Sequence, residues 1–510
     1  MHSCLEVPEI VLEICEAALG NRDKASVASL ARTCASFYEP AMTTLWRNLD
    51  SLVPLFLCLP RETWGRDPEH GGLVRALIPL FSADIHAVGQ TYNLRYVLKD
   101  SDWDRFLRNA SRVRTLCVFD DDAHVALQVF AFCCPHKEAF HSLIDLYWSP
   151  LDSGLLYMPL YVVPLLGSNI TRLKFELDDD LFNAAHLHMA QTRCPGLRHL
   201  EVLTPRLQDA TLQGALDCSL ISFPDLQSLK CANYEPTYDA LLRISCSQTL
   251  RTLEIALTSA TLHRCVVADP EMHDFPLLEE LTISSVDKLP TRLLQAPKFP
   301  HLRHLDVTCN HVQASTFDLQ QFITAVSCHK TLDSFHLRNY HDLSFPSDPL
   351  SIAPLMDLPH LKVLVVYNIS FTLPVDYTQK MIAAWPKMEH LELFIPGFVT
   401  NLWALRAFAR GWPRLNALLV DYDASDAALE ADRQVMSGKA TYRSRCKELR
   451  EGHGLQSAVM MAATLSDTFS RVRFMEALLP PSDVSPWRIV EPLLAKFAQV
   501  RARKWSTAVI

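Results

Sequence analysis

Glycine is scarce in this sequence, with 14 in 510 residues, which leaves little material for the glycine-rich loops that cradle phosphate groups. The chain contains no Walker loop, no dinucleotide-binding glycine fingerprint, no Gly-x-Ser-x-Gly elbow and no His-Glu-x-x-His pair. Each of these motifs marks one class of enzyme or nucleotide-binding protein. Without them, the sequence predicts a non-enzymatic protein with no catalytic residues, no cofactor and no metal site.

Positive charge is also in deficit. Lysine and arginine total 48 against 57 aspartates and glutamates, which gives a formal net charge of −9. A protein that grips phosphate backbones usually has the opposite balance, so we expect no nucleic-acid partner. No apolar run is long enough for a transmembrane helix, which needs roughly 18 such residues, and we expect no membrane partner.

The cysteines and the N-terminal stretch indicate a cytoplasmic or nuclear protein. The 15 cysteines are an odd number and show no Cys-x-x-Cys spacing, as expected for reduced thiols. The neighbouring Cys133 and Cys134 lack flanking partner ligands, so we predict buried thiols there. A secretory signal needs an uncharged apolar core, whereas Glu9, Glu13 and Glu16 interrupt the apolar N-terminal stretch.

A nine-residue motif, Phe-Pro-x-Leu-x-x-Leu-x-apolar, recurs along the chain. Its clearest copies begin at Cys194, Phe223, Phe275, Phe299, Leu358, Trp385 and Trp412. Counting weaker copies as well, the first core residues are Val113, Leu143, Ile170, Leu197, Leu226, Leu250, Leu278, Leu302, Leu332, Leu361, Met388 and Leu415. Their mean spacing is about 27 residues, within the roughly 20–29 residues typical of leucine-rich repeats.

The residues within and between the motifs predict one strand and one helix per repeat. The last apolar positions of each motif alternate with polar ones, as a half-buried strand requires. Helix-like stretches such as LQQFITAVS and LWALRAFARG precede the motifs, and a proline often separates the two. We therefore expect an α/β solenoid of about twelve units, with a parallel sheet on its concave face. An ordinary α/β sheet would not repeat one motif at this spacing.

Histidine is frequent, but its placement does not indicate zinc. His199, His304 and His390 occupy the same position of the motif in three different repeats. That position lies on the outer side of a predicted strand, so these side chains are expected at the surface of the sheet.

Residues 7–46 predict three short helices. An apolar stripe that includes Ile10, Val11 and Ile14 suits the first helix, and 25–35 and 40–46 suit the other two. Forty residues in three short helices hold too little core to be stable alone, so we expect such a unit to pack against a partner surface. The alternative is a helical cap on the solenoid.

This segment resembles the F-box, which opens Leu-Pro-x-Glu-[Leu/Ile] and ends near Leu-Trp. The matching residues here are Pro8, Glu9, Ile10, Val11, Ile14, Leu30, Thr33, Cys34, Phe37, Leu45 and Trp46, although the chain opens with Val-Pro and is one residue shorter before the glutamate. Fungal F-box proteins with leucine-rich repeats typically continue with Asp-Trp-x-Arg-Phe and then Val-Arg-x-Leu. The corresponding residues are Asp102, Trp103, Arg105, Phe106, Val113 and Leu116.

The resemblance implies a substrate-recognition adaptor of a cullin-based ubiquitin ligase. The F-box would dock a Skp-family adaptor, and the solenoid would hold the protein substrate. The residues implied in adaptor binding are Pro8, Ile10, Val11, Ile14, Leu30, Cys34, Phe37 and Trp46. The alternative is a leucine-rich-repeat scaffold that assembles no ligase, and an enzyme that passes ubiquitin through a cysteine has no motif to support it.

The domain boundaries follow from these patterns. We predict an F-box-like helical domain at 5–50, a helical linker or N-terminal cap at 51–105, and the solenoid at 106–421. Residues 422–510 leave the repeat pattern and are predicted to form a helical C-terminal cap or extension. Basic clusters around 443–450 and 501–504 indicate a solvated helix face there, or a strip for an acidic partner.

Strand alternation places one set of side chains on the predicted concave face. In early repeats this set is mostly polar, and it consists of Arg172, Lys174, Glu176, His199, Glu201, Lys230 and Glu254. In late repeats it becomes apolar and aromatic, and it consists of Val363, Val365, Tyr367, His390, Phe394 and Leu419. An exposed apolar stripe is typical of an interface, so we predict substrate binding there, with Tyr367 and Phe394 as anchors. The alternative is that 422–510 cover the stripe.

Acidic residues follow three early strands at similar distances from the repeat markers. They are Asp120, Asp121, Asp122, Asp152, Asp178, Asp179 and Asp180. Strand-end loops are normally solvated, which accounts for the charge without any function. The functional hypothesis is an acidic rim that docks a basic segment or binds calcium weakly.

Overall fold

The structure is a computed structural model, and the chain forms two compact units, Met1–Pro236 and Thr237–Ile510. The longer described stretches are 7–20, 24–60, 98–118, 138–149, 162–176, 183–203, 210–258, 274–285, 289–295, 299–309, 316–339, 350–369, 376–395 and 402–420. A few further positions within 127–136, together with 261 and 371–372, are also described.

The first unit begins with helices and continues as strands with helices between them. The helices are α1 (Pro8–Gly20), α2 (Lys24–Leu30), α3 (Ala35–Arg47), α4 (Val53–Phe56), α5 (Asp104–Ala110), α6 (Asn183–Arg193) and α7 (Ala210–Ser222), with 3₁₀ turns at Asp100–Trp103 and Val163–Leu165. The strands are β1 (Asn48–Leu49), β2 (Thr115–Val118), β3 (Asp145–Trp148), β4 (Arg172–Glu176), β5 (His199–Leu203) and β6 (Ser228–Lys230). All neighbouring strands pair in parallel and in chain order.

The second unit follows the same plan. Its helices are α8 (Tyr238–Ser245), α9 (Thr291–Leu294), α10 (Thr316–Ser327), α11 (Tyr377–Ala384) and α12 (Leu402–Gly411), with a 3₁₀ turn at Ala353–Asp357. Its parallel sheet contains β7 (Thr252–Leu257), β8 (Glu280–Ser285), β9 (His304–Cys309), β10 (Ser334–Asn339), β12 (Val363–Tyr367), β14 (His390–Phe394) and β15 (Ala417–Val420). Two short strands, β11 (Leu350–Ser351) and β13 (Phe371–Thr372), form a separate parallel pair.

The repeat predicted from the sequence is confirmed. Every predicted unit forms a strand that begins two residues after its marker, as at Thr115 after Val113 and at Val363 after Leu361. All twelve markers are buried. Residues at the same motif position also pair across neighbouring strands, so the register repeats with the sequence. The fold is therefore an α/β solenoid of the leucine-rich-repeat type.

The residue that opens each motif forms a second buried row. Phe275, Phe299, Trp385 and Trp412 are each at most 3% exposed. The rings of Phe275 and Phe299 stack with their centroids 4.8 Å apart. His329 takes the same position in its repeat, and its ring meets that of Phe299 edge-on at 5.8 Å. This row packs the ends of the helices against the sheet.

The three predicted N-terminal helices are present, with changed bounds. Helix α2 ends at Leu30, earlier than expected, and α3 begins at Ala35 rather than at Pro40. The early start of α3 is explained by burial, because it places Phe37 and Ala41 four residues apart on one helix face. That face packs in a core with Val11, Cys15, Val27 and Ala31.

An aromatic core lies beside the first strands. Trp103 and Phe106 are fully buried, with ring centroids 5.2 Å apart. Phe106 also packs against Phe56 at 5.3 Å and against Phe130 at 5.4 Å. The Asp-Trp-x-Arg-Phe segment therefore contributes two of the rings that close the core next to α4 and α5.

Candidate functional site

The open face of the second unit is the side of its sheet opposite the buried markers. Strand side chains alternate, so every second residue points to this face, and the register aligns those residues in rows. The middle row contains Glu254, Thr282, Asp306, His336, Val365, Glu392 and Leu419. The row toward the strand ends contains Ala256, Ser284, Thr308, Arg338, Tyr367 and Phe394.

A polar network occupies β9 and β10 on this face. Asp306 Oδ2 lies 3.0 Å from His336 Nδ1 and accepts a hydrogen bond from Arg338 Nη1 at 2.7 Å. His336 Nε2 lies 3.3 Å from the hydroxyl of Ser334. These four side chains join two neighbouring strands through one carboxylate oxygen.

The order Ser334, His336, Asp306 is that of a nucleophile, a base and an orienting carboxylate. Acyl transfer also needs N–H groups aimed at the developing oxyanion. Here the N–H groups of Asp333 and Ser334 both donate to the carbonyl of Arg303, at 2.8 and 2.9 Å. Ser334 itself is only 8% exposed. The network therefore acts as a link between β9 and β10.

An aromatic pair follows on β12 and β14. The rings of Tyr367 and Phe394 pack with centroids 5.4 Å apart and an interplanar angle of 60°. Both side chains are half-buried, as is Val363, so the two predicted anchors lie together and remain accessible. His390 is half-buried beside them, with Nε2 lying 3.5 Å from Glu392 Oε2.

The predicted apolar stripe is narrower than expected. Val365 is only 3% exposed, so its prediction as an exposed contact was wrong. The register places it between His336 and Glu392, whose longer side chains stand on both sides of it. Leu419 pairs with Glu392 in the register, and its side chain lies outside the described part of the chain.

The open face of the first unit is polar, as predicted, and its charges pair with one another. Lys174 Nζ lies 2.7 Å from Glu201 Oε1 and 4.8 Å from the centre of the Tyr147 ring. The Tyr147 hydroxyl hydrogen-bonds Glu176 at 3.1 Å. Arg172 lies 3.4 Å from Asp145. Burial, and to a lesser extent the charge of Arg172, lowers the pKa of the neighbouring His199. The remaining predicted member of this face, Lys230, pairs with Glu201 in the register.

The residues predicted to bind the adaptor do not form one exposed surface, because some are exposed and others are buried. Ile10 and Ile14 are 41% and 37% exposed, and Pro8 at the start of α1 is also exposed. Val11 and Phe37 are buried in the core of the three helices, so their expected exposure was wrong. The reason is that α1 has two apolar stripes, one facing α2 and α3 and one facing outward. Half-buried positions are found for Leu30, Cys34 and Trp46.

Sequence reasoning missed how the helices join the sheet. Strand β1 follows α3 at once and pairs in parallel with β2, and the Arg114 N–H donates to the Arg47 carbonyl at 2.8 Å. Arg112 also forms an ion pair with Glu39 of α3 at 2.7 Å. The helical unit is thus attached to the sheet by the same ladder that joins successive repeats. The sequence feature that could have predicted β1 is a partial copy of the repeat motif, in which Trp46 and Leu49 match the fourth and seventh positions.

Other predicted features lie outside the described residues. They are the acidic rim at Asp120, Asp121, Asp122, Asp152, Asp178, Asp179 and Asp180, and the segment 422–510 with its basic clusters. Within the described stretches, no group of three or more His, Cys, Asp or Glu side chains is placed to hold a metal ion. The helices of those stretches include none with the length and apolar character needed to cross a membrane.

The described cysteines form no disulfide bonds with one another. Burial raises the pKa of Cys133, and it raises the pKa of Cys134 to about 11. It also raises the pKa of Cys194 and of Cys309 to about 12. These four side chains are held as neutral thiols, and a thiol is a much weaker nucleophile than a thiolate.

Comparison with known proteins adds little beyond the fold. No protein-family model and no curated protein matches the sequence. Among solved structures, one similar chain comes from a crystal structure of a TLR13–ssRNA13 complex, at 13% identity and a TM-score of 0.33. The match covers 62% of this chain and 44% of that chain, so it spans less than half of the solved protein.

Proposed function

We propose that this protein captures another protein on the open face of its second unit and presents it to a cullin-based ubiquitin ligase. In this proposal the α1 surface (Pro8, Ile10 and Ile14) docks a Skp-family adaptor, and the adaptor links the chain to the cullin. The chain supplies proximity between a substrate lysine and another protein's active site, and no catalysis of its own. The setting would be the cytoplasm or the nucleus.

The observation that carries the adaptor half is the outward stripe of α1. The three helices already have an internal core, which includes Val11 and Phe37. Ile10 and Ile14 are therefore not needed for that core, yet both expose apolar area. Apolar side chains that share an exposed face of a small helical unit are typical of an interface with a partner.

The observation that carries the substrate half is the half-exposed pair of Tyr367 and Phe394. Aromatic side chains in the centre of a surface, with polar groups around them, are typical binding hot spots. Here the polar groups are the network of Asp306, His336 and Arg338 on β9 and β10 and Glu392 on β14, two residues before Phe394. An open parallel sheet face is also the surface that repeat solenoids offer to partners.

The adaptor half is tested by Ile10→Asp with Ile14→Asp. Two carboxylates on the outward stripe should reduce capture of a purified Skp-family adaptor by more than about tenfold, which corresponds to 1.4 kcal/mol. The melting temperature should change little, because both side chains are substantially exposed. Binding is measured by pull-down and by calorimetry with the full chain.

The matched control is Phe317→Asp, which also replaces an exposed apolar residue by aspartate, at 68% exposure on α10. It should leave adaptor binding unchanged. Full adaptor binding by the double variant would refute the docking surface. The remaining function would then be the second candidate, a repeat scaffold that binds proteins without assembling a ligase.

A further inference from the structure

The two open faces differ in charge. The open face of the first unit carries three acidic and three basic side chains. The acidic ones are Asp145, Glu176 and Glu201, and the basic ones are Arg172, Lys174 and Lys230. On the second unit, the open face also includes Glu280, two residues before Thr282 on β8. This face carries four acidic side chains and one basic side chain, namely Glu254, Glu280, Asp306, Glu392 and Arg338. One basic against four acidic groups leaves this face three negative charges in excess, whereas the first face is balanced.

One carboxylate of this excess, that of Glu392, lies beside the aromatic pair on β14, whereas Glu254 and Glu280 lie on β7 and β8. Arg338 is engaged by Asp306 at 2.7 Å, so it does not compensate the other carboxylates. Within the described residues, Glu392 has no ion pair with a lysine or arginine, and its charged-group neighbour is His390. On the neighbouring strands the register places Val365 and Leu419 opposite Glu392. A carboxylate without a lysine or arginine partner can pair with an incoming cation.

Glu392 and Phe394 are two residues apart on β14 and point to the same face. Two residues along a strand span about 6.6 Å. Side chains at alternate positions of an extended peptide have the same separation. A peptide that laid one large apolar side chain against Tyr367 and Phe394 would therefore bring the side chain two residues away to Glu392.

We propose that the open face of the second unit recognises an extended segment in which a lysine or arginine lies two residues from a large apolar residue. The apolar residue packs on the ring pair, and the basic group pairs with Glu392. This proposal rests on the proposed function, since it names the class of substrate that the face would select. Charge complementarity chooses the basic segment over an acidic one.

Fluorescence anisotropy with the full chain tests this with labelled peptides that differ at one position. The reference peptide has a central Phe-Ser-Lys, and its partners carry Phe-Ser-Glu, Ala-Ser-Lys and Phe-Ser-Ser-Lys. The reference should bind about tenfold or more tightly than each partner, because each lacks the charge, the anchor or the spacing. Its advantage over Phe-Ser-Glu should shrink in high salt, which screens charge pairs.

Two variants assign the preference to this site. Glu392→Gln should remove the preference for lysine over glutamate while keeping the preference for phenylalanine over alanine. Glu201→Gln on the first face is the matched control, and it should leave both preferences unchanged. Equal binding of the lysine and glutamate peptides by the native chain overturns the proposal, as does an unchanged lysine preference in Glu392→Gln.

Failure of this inference is separable from failure of the proposed function. If Tyr367→Ala with Phe394→Ala loses partners captured from cells while the peptides show no charge preference, only the basic class is wrong. If that double variant keeps every captured partner, the face itself is wrong. Peptide binding that appears only after Arg501→Ser, Arg503→Ser and Lys504→Ser would also overturn the proposal, because the chain's own basic segment would be the occupant.

Discussion

At the residue scale, His329 shows how one side chain can replace another in a repeat. The preceding repeat carries Phe299 and the following one carries Leu358 at the position that His329 occupies in its own. The imidazole keeps the aromatic contact with Phe299, and its Nε2 lies 3.0 Å from the Leu294 carbonyl. Burial is the main cause that lowers the pKa of His329. The folded protein therefore holds this ring neutral, with its proton donated from Nε2.

The lowered pKa predicts a dependence of stability on pH. In the unfolded chain histidine titrates near about pH 6.5, so below that pH the unfolded state binds a proton that the folded state resists. The stability contributed by neutral His329 is thus complete above about pH 6.5 and is lost as the pH falls toward the lowered folded value. His329→Phe should lose less free energy of unfolding than the native chain does between about pH 7.5 and 5.5.

Urea unfolding at the two pH values measures the difference. Phe299→Leu is the control, because it disturbs the same packing without removing a titrating group. It should keep the pH dependence of the native chain. The same pH dependence in His329→Phe as in the native protein would show that other groups account for it.

At the element scale, the strands were predictable because every repeat restates the same alternation. A marker such as Leu302 or Leu361 fixes the strand that begins two residues later. Strand β1 was not predicted, because the 66 residues between Trp46 and Val113 break the period. The burial of Val365 could not be predicted either, since it depends on His336 and Glu392, which register brings beside it and sequence spacing alone does not.

The stacking of repeats is specified by charge as well as by packing. From β7 to β14, the residue just before each strand of the main sheet alternates in sign, in the series Arg251, Glu279, Arg303, Asp333, Lys362 and Glu389. Each N–H in the series from Glu279 onward donates to the carbonyl of the preceding member, at 2.7 to 2.8 Å. Arg251 pairs with Glu279, and Lys362 lies 3.3 Å from Asp333. A shift of one repeat would place like charges together, so the alternation favours the observed order.

Helix packing in the last repeats makes a sharper prediction at Gly411, where α12 ends. A Cβ added there would lie 2.6 to 2.8 Å from three side-chain atoms of Ile382. Gly411→Ala should lower the free energy of unfolding by about 1–3 kcal/mol, because the two helices must separate or Ile382 must leave its rotamer. In a chain that already carries Ile382→Ala, Gly411→Ala should lower the free energy of unfolding by less, as a double-mutant cycle would show.

Gly214 provides the control, because it lies inside α7 and an added Cβ meets nothing within 4 Å. Gly214→Ala should raise the free energy of unfolding by about 1 kcal/mol through helix propensity alone. Chemical denaturation measures both changes. Equal effects of the two substitutions would mean that the close approach at Gly411 does not constrain the helices.

At the scale of the whole molecule, the sequence predicted that the late repeats carry an apolar and aromatic stripe on the open face. It predicted less well which residues form that stripe. The late-repeat location and the pair of Tyr367 and Phe394 followed from alternation and composition. The network of Asp306, His336 and Arg338 did not, because these residues come from two repeats and meet only through the strand register. The exposed apolar stripe of α1 was also only partly predictable, since helix periodicity does not tell which of two apolar stripes on α1 faces inward.

The join between the helices and the sheet gives the last prediction. Strand β1 leaves α3 without a loop and pairs with β2, so the α1 surface is held in a fixed position against the first repeat. Under the proposed function this rigidity would set where a captured substrate meets the charged ubiquitin enzyme. A flexible Gly-Ser segment inserted between Arg47 and Asn48 should break the β1–β2 pairing and let the helical unit move.

That insertion should leave two affinities unchanged when each is measured alone, the adaptor for the α1 surface and a captured partner for the open face of the second unit. Ubiquitin transfer to the partner in a reconstituted ligase should fall, because a flexible connection spreads the substrate over many positions and lowers its effective concentration at the reacting thioester. Transfer at the native rate with both affinities intact would show that the strand pairing only stabilises the first repeat. A loss of adaptor binding would show that β1 supports the fold of α1 to α3 themselves, which their internal core of Val11, Cys15 and Phe37 argues against.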